Sequence, residues 1–108
     1  MSEESKYWEL NELNDKAVVF EEFIEAYLGY GTKAGIEAPV AIYDARKMVK
    51  ILAESFVADP SWVESQDVNT REALEEIAIQ DAIEYLDYNC FGASFGDNTP
   101  IFLYTYLF

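Results

Sequence analysis

Carboxylates are the groups in this sequence of 108 residues whose number and spacing could support a specific interaction. Asp and Glu number 21, Lys and Arg together number 7, and the net charge is −14. Acids three or four residues apart share one side of a helix, and a row of them would imitate a phosphate backbone and attract lysine and arginine. The acids expected to bind a partner are Glu21, Glu22, Glu25, Glu64, Asp67, Glu72, Glu75, Glu76, Asp81, Glu84 and Asp87.

The charge is distributed unevenly along the chain. Residues 1–28 hold eight acids and two bases, residues 29–58 hold three acids and four bases, and residues 59–97 hold ten acids and one base. Trp62 lies in the most acidic region and outside any helical apolar stripe. Because tryptophan is common at interface hot spots, we expect Trp62 to join the acids in contacting the partner.

The remaining residues do not form a recognisable catalytic or metal-binding pattern. The sequence has no histidine, which removes the commonest general base and the usual zinc ligand. Glu75 and Glu76 are adjacent on a helix and point apart, so they form no calcium loop or acid–base pair. The segment Gly92–Gly96 precedes no helix that could bind phosphate, and Cys90 is expected in the core. We therefore expect no enzyme, no cofactor and no metal site.

Composition predicts one folded domain over residues 1–108. Apolar residues make up 51% and aromatic residues 16% of the chain, which is enough to build a core. The N-terminal sequence is acidic where a signal peptide would be basic and then apolar, and no apolar run reaches the roughly 20 residues of a membrane span. We expect a cytoplasmic protein that binds neither membranes nor nucleic acid directly.

The hydrophobic pattern favours a mainly α fold, a small bundle of three to four helices with a short extended C-terminal segment. Residues 1–13 are expected to form a frayed helix. A second helix is expected from Asn14 or Asp15 to about Leu28, with Gly29 and Gly31 ending it. Residues 30–39 are expected to be a loop, and residues 39–43 either a strand or the start of the next helix.

Two further helices complete the predicted bundle. Asp44 should cap a helix over residues 45–57, and a one-turn restart is expected at Trp62. Asn69 and Glu72 have capping-box spacing at the start of a long helix that ends near Gly92. Its predicted apolar side has six members, and three more apolar residues beside that side predict a helix packed on two neighbours. The six are Leu74, Ala78, Ile79, Ala82, Tyr85 and Leu86, and the three are Ile77, Ile83 and Tyr88.

The C-terminal sequence IFLYTYLF comes after a predicted turn over residues 96–100. It is uncharged and has high β-propensity, so exposure would favour aggregation. We expect it to be buried, either against its own chain or across the two-fold axis of a homodimer.

Two segments, PVAIYDARKMVKIL and EYLDYNCFGASFGDNTPIFL, resemble a family of short bacteriophage and prophage proteins without assigned activity. The resemblance implies a phage or mobile-element origin and no catalytic role. In charge alone, the chain is also similar to anti-restriction and anti-CRISPR inhibitors that mimic DNA. The matching positions are Tyr43, Asp44, Tyr88, Asn89, Gly92, Gly96, Thr99 and Pro100.

The sequence supports two hypotheses of function. The first is a non-enzymatic inhibitor from a phage or mobile element, whose acidic surface occupies the basic groove of a host nuclease or CRISPR effector in the bacterial cytoplasm. The alternative is a helical interaction or assembly module that dimerises through its C-terminal segment and uses its acids only for solubility.

Overall fold

The computed structural model describes residues 6–104, which combine helices with a small sheet. In chain order the elements are helix α1 (Trp8–Leu13), a 3₁₀ helix (Glu21–Ala26), strands β1 (Tyr27–Gly31) and β2 (Val40–Asp44), helices α2 (Ala45–Ala58), α3 (Pro60–Glu64) and α4 (Arg71–Leu86), a π-helical turn (Asp87–Phe91) and strand β3 (Ile101–Leu103). The described residues form two compact units, the sheet unit (6–46 and 94–104) and the helical unit (47–93).

Strand β2 is the centre of the sheet unit. It pairs antiparallel with β1 and parallel with β3, giving the order β1-β2-β3. Its residues Val40, Ala41 and Tyr43 are fully buried, as expected for a strand with a neighbour on each side. Between Tyr27 and Gly29 the pairing with β2 shifts by one residue. Gly29 has φ 141°, a conformation that favours glycine, so this irregularity depends on the residue type.

Aromatic rings fill the interior of the sheet unit. Tyr43 lies at the centre, with its ring centroid 5.7 Å from Phe20, 5.8 Å from Tyr27 and 6.2 Å from Phe102. Tyr7, which immediately precedes α1, packs edge-on against Tyr27 at 4.6 Å. These contacts bring the residues that precede α1 and the 3₁₀ helix together with all three strands in one cluster of rings.

The hydroxyls of Tyr7 and Tyr43 form a closed ring of hydrogen bonds with the main chain of Phe20. The Phe20 N–H donates to the Tyr43 hydroxyl at 2.7 Å, and the Tyr7 hydroxyl donates to the Phe20 carbonyl oxygen at 3.2 Å. A hydroxyl has one proton, so Tyr43 is the donor in the 2.8 Å contact between the two hydroxyls. Burial is the main reason that the pKa of Tyr7 lies far above its usual value, and it also raises the pKa of Tyr27.

The predicted helix from Asn14 to Leu28 is wrong. Residues 14–20 are irregular, residues 21–26 form the 3₁₀ helix, and Gly29 and Gly31 lie inside strand β1 instead of ending a helix. Asn14 ends α1 instead of starting a helix, since its N–H donates to the Leu10 carbonyl oxygen at 2.7 Å. Its side-chain amide donates to the Pro39 carbonyl oxygen at 2.9 Å and to Asn98 Oδ1 at 3.0 Å. The Asn14 side chain is therefore held by residues 25 and 84 positions further along the chain.

The strand alternative for residues 39–43 is confirmed, and β2 leads into α2 without a loop. The Asp44 carboxylate accepts from the Arg46 N–H at 3.1 Å, as predicted for a cap. On α2, Ala45 and Met48 are buried, while the basic residues are exposed, namely Arg46, Lys47 and Lys50.

The short restart near Trp62 is confirmed as helix α3. Asp59 caps it by accepting from the Ser61 N–H at 3.0 Å, and Pro60 occupies its first turn. The capping box of Asn69 and Glu72 is wrong, because Thr70 is the N-cap of α4 and accepts from the Ala73 N–H at 3.4 Å. Thr70 has the hydroxyl that this position prefers, and Asn69 lies one residue too early.

Helical structure continues through Phe91, as predicted, but its final turn is a π helix. The Gly92 N–H donates to the Asp87 carbonyl oxygen at 2.8 Å, a five-residue separation. A Cβ at position 92 would lie 2.6 Å from that same oxygen, so the turn requires glycine by close approach. The turn over residues 96–100 is also present, with the Thr99 N–H donating to the Gly96 carbonyl oxygen.

The C-terminal segment is extended and packs in part on its own chain. Ile101 and Phe102 are half-buried in β3, while Leu103 and Tyr104 are exposed. Burial against the same chain is therefore found for Ile101 and Phe102 and is not found for Leu103 and Tyr104. Residues 1–5 and 105–108 lie outside the described residues, so the predicted frayed start falls partly outside them. Pairing across a two-fold axis stays a prediction.

Candidate partner-binding face on helix α4

Helix α4 is held in the helical unit by a narrow stripe of buried residues at four-residue intervals. Leu74, Ala78, Ala82 and Leu86 are buried, and Ala53 of α2 clusters with the two alanines of α4. Small side chains at this contact let two helices approach closely, and Val49, Leu52, Phe56 and Val57 pack around them. The stripe fixes which side of α4 faces inward.

The opposite side of α4 carries the acids expected from the sequence. Glu72, Glu76, Glu84 and Asp87 are all exposed, and at 100° per residue they fall within an arc of about 120°. They extend over roughly 22 Å along the helix axis. We call these four residues the acidic arc.

Two other predicted site residues have intramolecular partners. Glu75 lies toward the buried stripe and accepts from Arg71 Nε at 2.9 Å, an exposed ion pair four residues apart on the helix. Asp81 is half-buried and accepts from the Trp62 indole nitrogen at 3.3 Å. Both acids add to the negative field, but neither belongs to the acidic arc.

Trp62 is half-buried within the helical unit. Its ring stacks on Phe56, with centroids 5.7 Å apart and planes 14° apart, and its indole nitrogen bonds to Asp81. It therefore joins α3 to both α2 and α4. The sequence signal that suggested a partner contact, an aromatic residue outside a helical stripe, has an intramolecular explanation here.

The remaining predicted site residues are exposed but lie on other elements. Glu64 ends α3 and Asp67 follows it in the connection to α4. Glu21, Glu22 and Glu25 lie on the 3₁₀ helix of the sheet unit. The continuous helix that was expected to display those three acids does not form.

Sequence reasoning missed an apolar feature beside and within the acidic arc. Ile79 was expected to be buried but is 46% exposed, and Ile83 is 41% exposed. On a regular helix Ile83 lies about 20° from both Glu72 and Glu76, and Ile79 lies about 20° from Glu72. The four-residue spacing of the buried stripe was the signal that could have excluded these isoleucines from it.

Tyr85 and Tyr88 are exposed aromatic residues near the C-terminal end of this helical segment. Tyr85 was also expected on the buried side but is 51% exposed, and Tyr88 is 84% exposed. Because its fully buried residues form one narrow stripe, α4 is not the doubly packed central helix that the sequence predicted.

The described residues offer no metal centre. Among residues 6–104, no three acidic or cysteine side chains converge in an arrangement that could hold a metal ion. In the same part of the chain, no helix combines the length and apolar character required to cross a bilayer.

Comparisons with protein-family models, with curated proteins and with solved structures gave no match. Function must therefore be inferred from the chemistry of the exposed face of α4.

Proposed function

We propose that this protein is a non-enzymatic inhibitor that occupies the basic nucleic-acid-binding groove of another protein. The observation that carries the proposal is the acidic arc of Glu72, Glu76, Glu84 and Asp87, exposed along one side of α4 and the start of the π-helical turn that continues it. The Arg71 cation lies outside this arc, paired with Glu75. A groove lined with lysine and arginine would meet four carboxylates with no cation among them.

The spacing of the arc is sparser than that of a nucleic-acid strand. Over roughly 22 Å of axis, one strand of duplex DNA carries about six phosphates, because they are about 3.4 Å apart. The arc supplies four carboxylates, and Asp81 and Glu75 add two charges on neighbouring sides of α4. Because Arg71 offsets Glu75, the net charge of these six acids and Arg71 is −5, slightly less than that of one strand, and their geometry also differs from that of a strand. The protein would therefore compete with nucleic acid by placing negative charge in the basic groove, without a carboxylate at the position of each phosphate.

A cellular role agrees with this chemistry. A phage or mobile element gains from blocking host nucleases and CRISPR effectors, which bind nucleic acid through basic grooves. The proposed target is therefore a host defence protein of that class, and the inhibitor would act in the bacterial cytoplasm. The resemblance of two segments to phage and prophage proteins supports this origin.

The test is competition with DNA for a panel of restriction nucleases and CRISPR effector complexes. Displacement of a fluorescent duplex from each protein is measured by anisotropy at 50 and 300 mM NaCl. We expect the intact chain to displace DNA from at least one member, and to do so less effectively at the higher salt concentration.

A charge-matched pair of variants locates the surface. Glu76→Lys with Glu84→Lys should abolish displacement, because it places two cations in the arc. Glu12→Lys with Glu37→Lys makes the same change in net charge at two exposed positions of the sheet unit and should retain displacement. Equal displacement by the two variants would contradict an inhibitory role for the arc.

A further inference from the structure

Helix α4 presents an apolar pair in the midst of its acids. Ile79 and Ile83 are one helical turn apart, about 6 Å along the axis, and both are more than two-fifths exposed. Glu72 and Glu76 lie beside them toward the start of the helix, and Asp87 lies beyond them toward its end. An apolar centre with a charged rim is the arrangement found at protein–protein interfaces.

We propose that Ile79 and Ile83 form a docking strip for an amphipathic helix of the partner that carries lysine or arginine beside apolar side chains. The basic character of that helix rests on the proposed function. The apolar requirement rests on the isoleucines alone. The docking strip adds to the proposed function by specifying the element of the partner that binds, a basic helix instead of a basic surface of any shape.

Charge complementarity selects this occupant over two others. Nucleic acid is repelled by the neighbouring carboxylates and has no apolar side chain to place on the isoleucines. A second copy of the chain carries a net charge of −14 and is repelled as well. A basic amphipathic helix satisfies both parts of the strip, because its apolar residues one turn apart match the spacing of Ile79 and Ile83.

The strip also provides selectivity that charge alone lacks. Electrostatic attraction to an acidic face is shared by every basic protein and weakens with salt. Burial of the exposed parts of two isoleucines favours only partners with apolar groups at the right spacing, and salt screening does not weaken it. Charge would then govern the rate of encounter, and the isoleucines would decide which basic helix stays bound.

The test compares two synthetic helical peptides of equal length and equal net charge. One has lysines flanking leucines at intervals of three and four residues, and the other has glutamine in place of each leucine. Affinity of the intact chain for each is measured by isothermal titration at 50 and 150 mM NaCl. We expect the leucine peptide to bind at least about tenfold more tightly. Equal affinity for the two peptides would overturn the proposal.

Variants on the same helical segment assign the preference to the strip. Ile79→Gln with Ile83→Gln should reduce the preference to less than about twofold, with the salt dependence of binding unchanged. Tyr85→Gln with Tyr88→Gln removes two exposed aromatic side chains outside the docking strip and should retain the preference. Both variants change exposed side chains, and circular dichroism verifies that they are folded. A preference that survives in the isoleucine variant, or disappears in the tyrosine variant, would also overturn the docking strip.

The two proposals fail separately. One outcome is that the chain displaces DNA from no protein of the panel, while it still prefers the leucine peptide through Ile79 and Ile83. The inhibitory function is then wrong and the docking strip stands. If DNA is displaced and the isoleucine variant displaces it as well as the unchanged chain does, the inhibitor acts by charge alone and the docking strip is wrong.

Discussion

The indole nitrogen of Trp62 donates a hydrogen bond to a carboxylate oxygen of Asp81 at 3.3 Å. The same indole ring stacks on Phe56, so one side chain connects α3 with α2 and α4. This relationship gives Trp62 and Asp81 a positioning role, because they fix how α4 lies within the helical unit. The acidic arc depends on that placement.

A double-mutant cycle on Trp62 and Asp81 tests this positioning role. Trp62→Phe keeps an aromatic ring on Phe56 but removes the donor, and Asp81→Ala removes the acceptor. Each should lower the free energy of unfolding by about 1 kcal/mol, and the pair should be less than additive by about 0.5 kcal/mol or more. Urea unfolding followed by circular dichroism provides the values. Strict additivity would mean that the hydrogen bond contributes no stability.

Alkaline pH should destabilise the protein through its buried tyrosines. Burial and the hydrogen bond with Tyr43 raise the pKa of Tyr7 when the chain is folded. The folded state therefore binds the phenolic proton more tightly than the unfolded chain, whose tyrosines titrate near pH 10. The resulting stability is fully present below about pH 10 and is lost progressively as the pH rises above it. Urea unfolding between pH 8 and pH 12 measures this decline.

Tyr7→Phe supplies the matched experiment. It removes one titrating group, so the decline above pH 10 should be shallower than in the unchanged chain. At pH 7 it should cost about 1 kcal/mol, because the Phe20 carbonyl oxygen and the Tyr43 hydroxyl each lose a partner. Tyr88→Phe, at a position 84% exposed, should leave the free energy at pH 7 unchanged within about 0.5 kcal/mol. An unaltered alkaline slope in Tyr7→Phe would refute this role.

Gly92→Ala should destabilise the C-terminal end of the helical unit. The added methyl group would lie 2.6 Å from the Asp87 carbonyl oxygen, which already accepts the Gly92 N–H. We expect a loss of about 1–3 kcal/mol in the free energy of unfolding, because main-chain atoms must shift to make room. Gln80→Ala, exposed on α4, should change it by less than about 0.5 kcal/mol. An equally small effect at Gly92 would show that the π turn adapts freely.

Salt should stabilise the folded protein. The chain has 21 acids and only 7 bases, which gives a net charge of −14. Folding therefore brings an excess of negative charges close together. Raising NaCl from 20 to 300 mM screens that repulsion and should raise the melting temperature by several degrees. Arg71→Ala should cost less than about 0.5 kcal/mol, because its ion pair with Glu75 is exposed. A melting temperature that falls with salt would indicate that attractive ion pairs outweigh the repulsion.

Local sequence determined the helices of residues 45–91 well. Their apolar residues recur at helical spacing, Asp44 and Asp59 supply caps, and Gly92 marks the end. These signals lie within a few residues of the structure that they specify. The acids of the arc could be placed by the same periodicity, because a helix displays whatever lies opposite its buried stripe.

Residues 14–31 show where local pattern fails. Their apolar spacing suits a helix, yet Phe20 bonds to Tyr7 and Tyr43, and Tyr27–Gly31 pairs with β2. These partners are 9 to 23 residues away along the chain. A helix would have satisfied the same backbone groups locally. The long-range contacts therefore decide that these residues form an irregular segment and a strand instead of a helix.

The sequence by itself determined the excess of acids, the absence of histidine and the helical spacing that places carboxylates along α4. Only the tertiary structure decided which residues of that helix are buried. Contact with Ala53 through Ala78 and Ala82 is narrow, and it leaves Ile79 and Ile83 exposed beside the acids. Periodicity gives the direction of each side chain around a helix, but the width of the buried side depends on the size and position of the neighbouring helix.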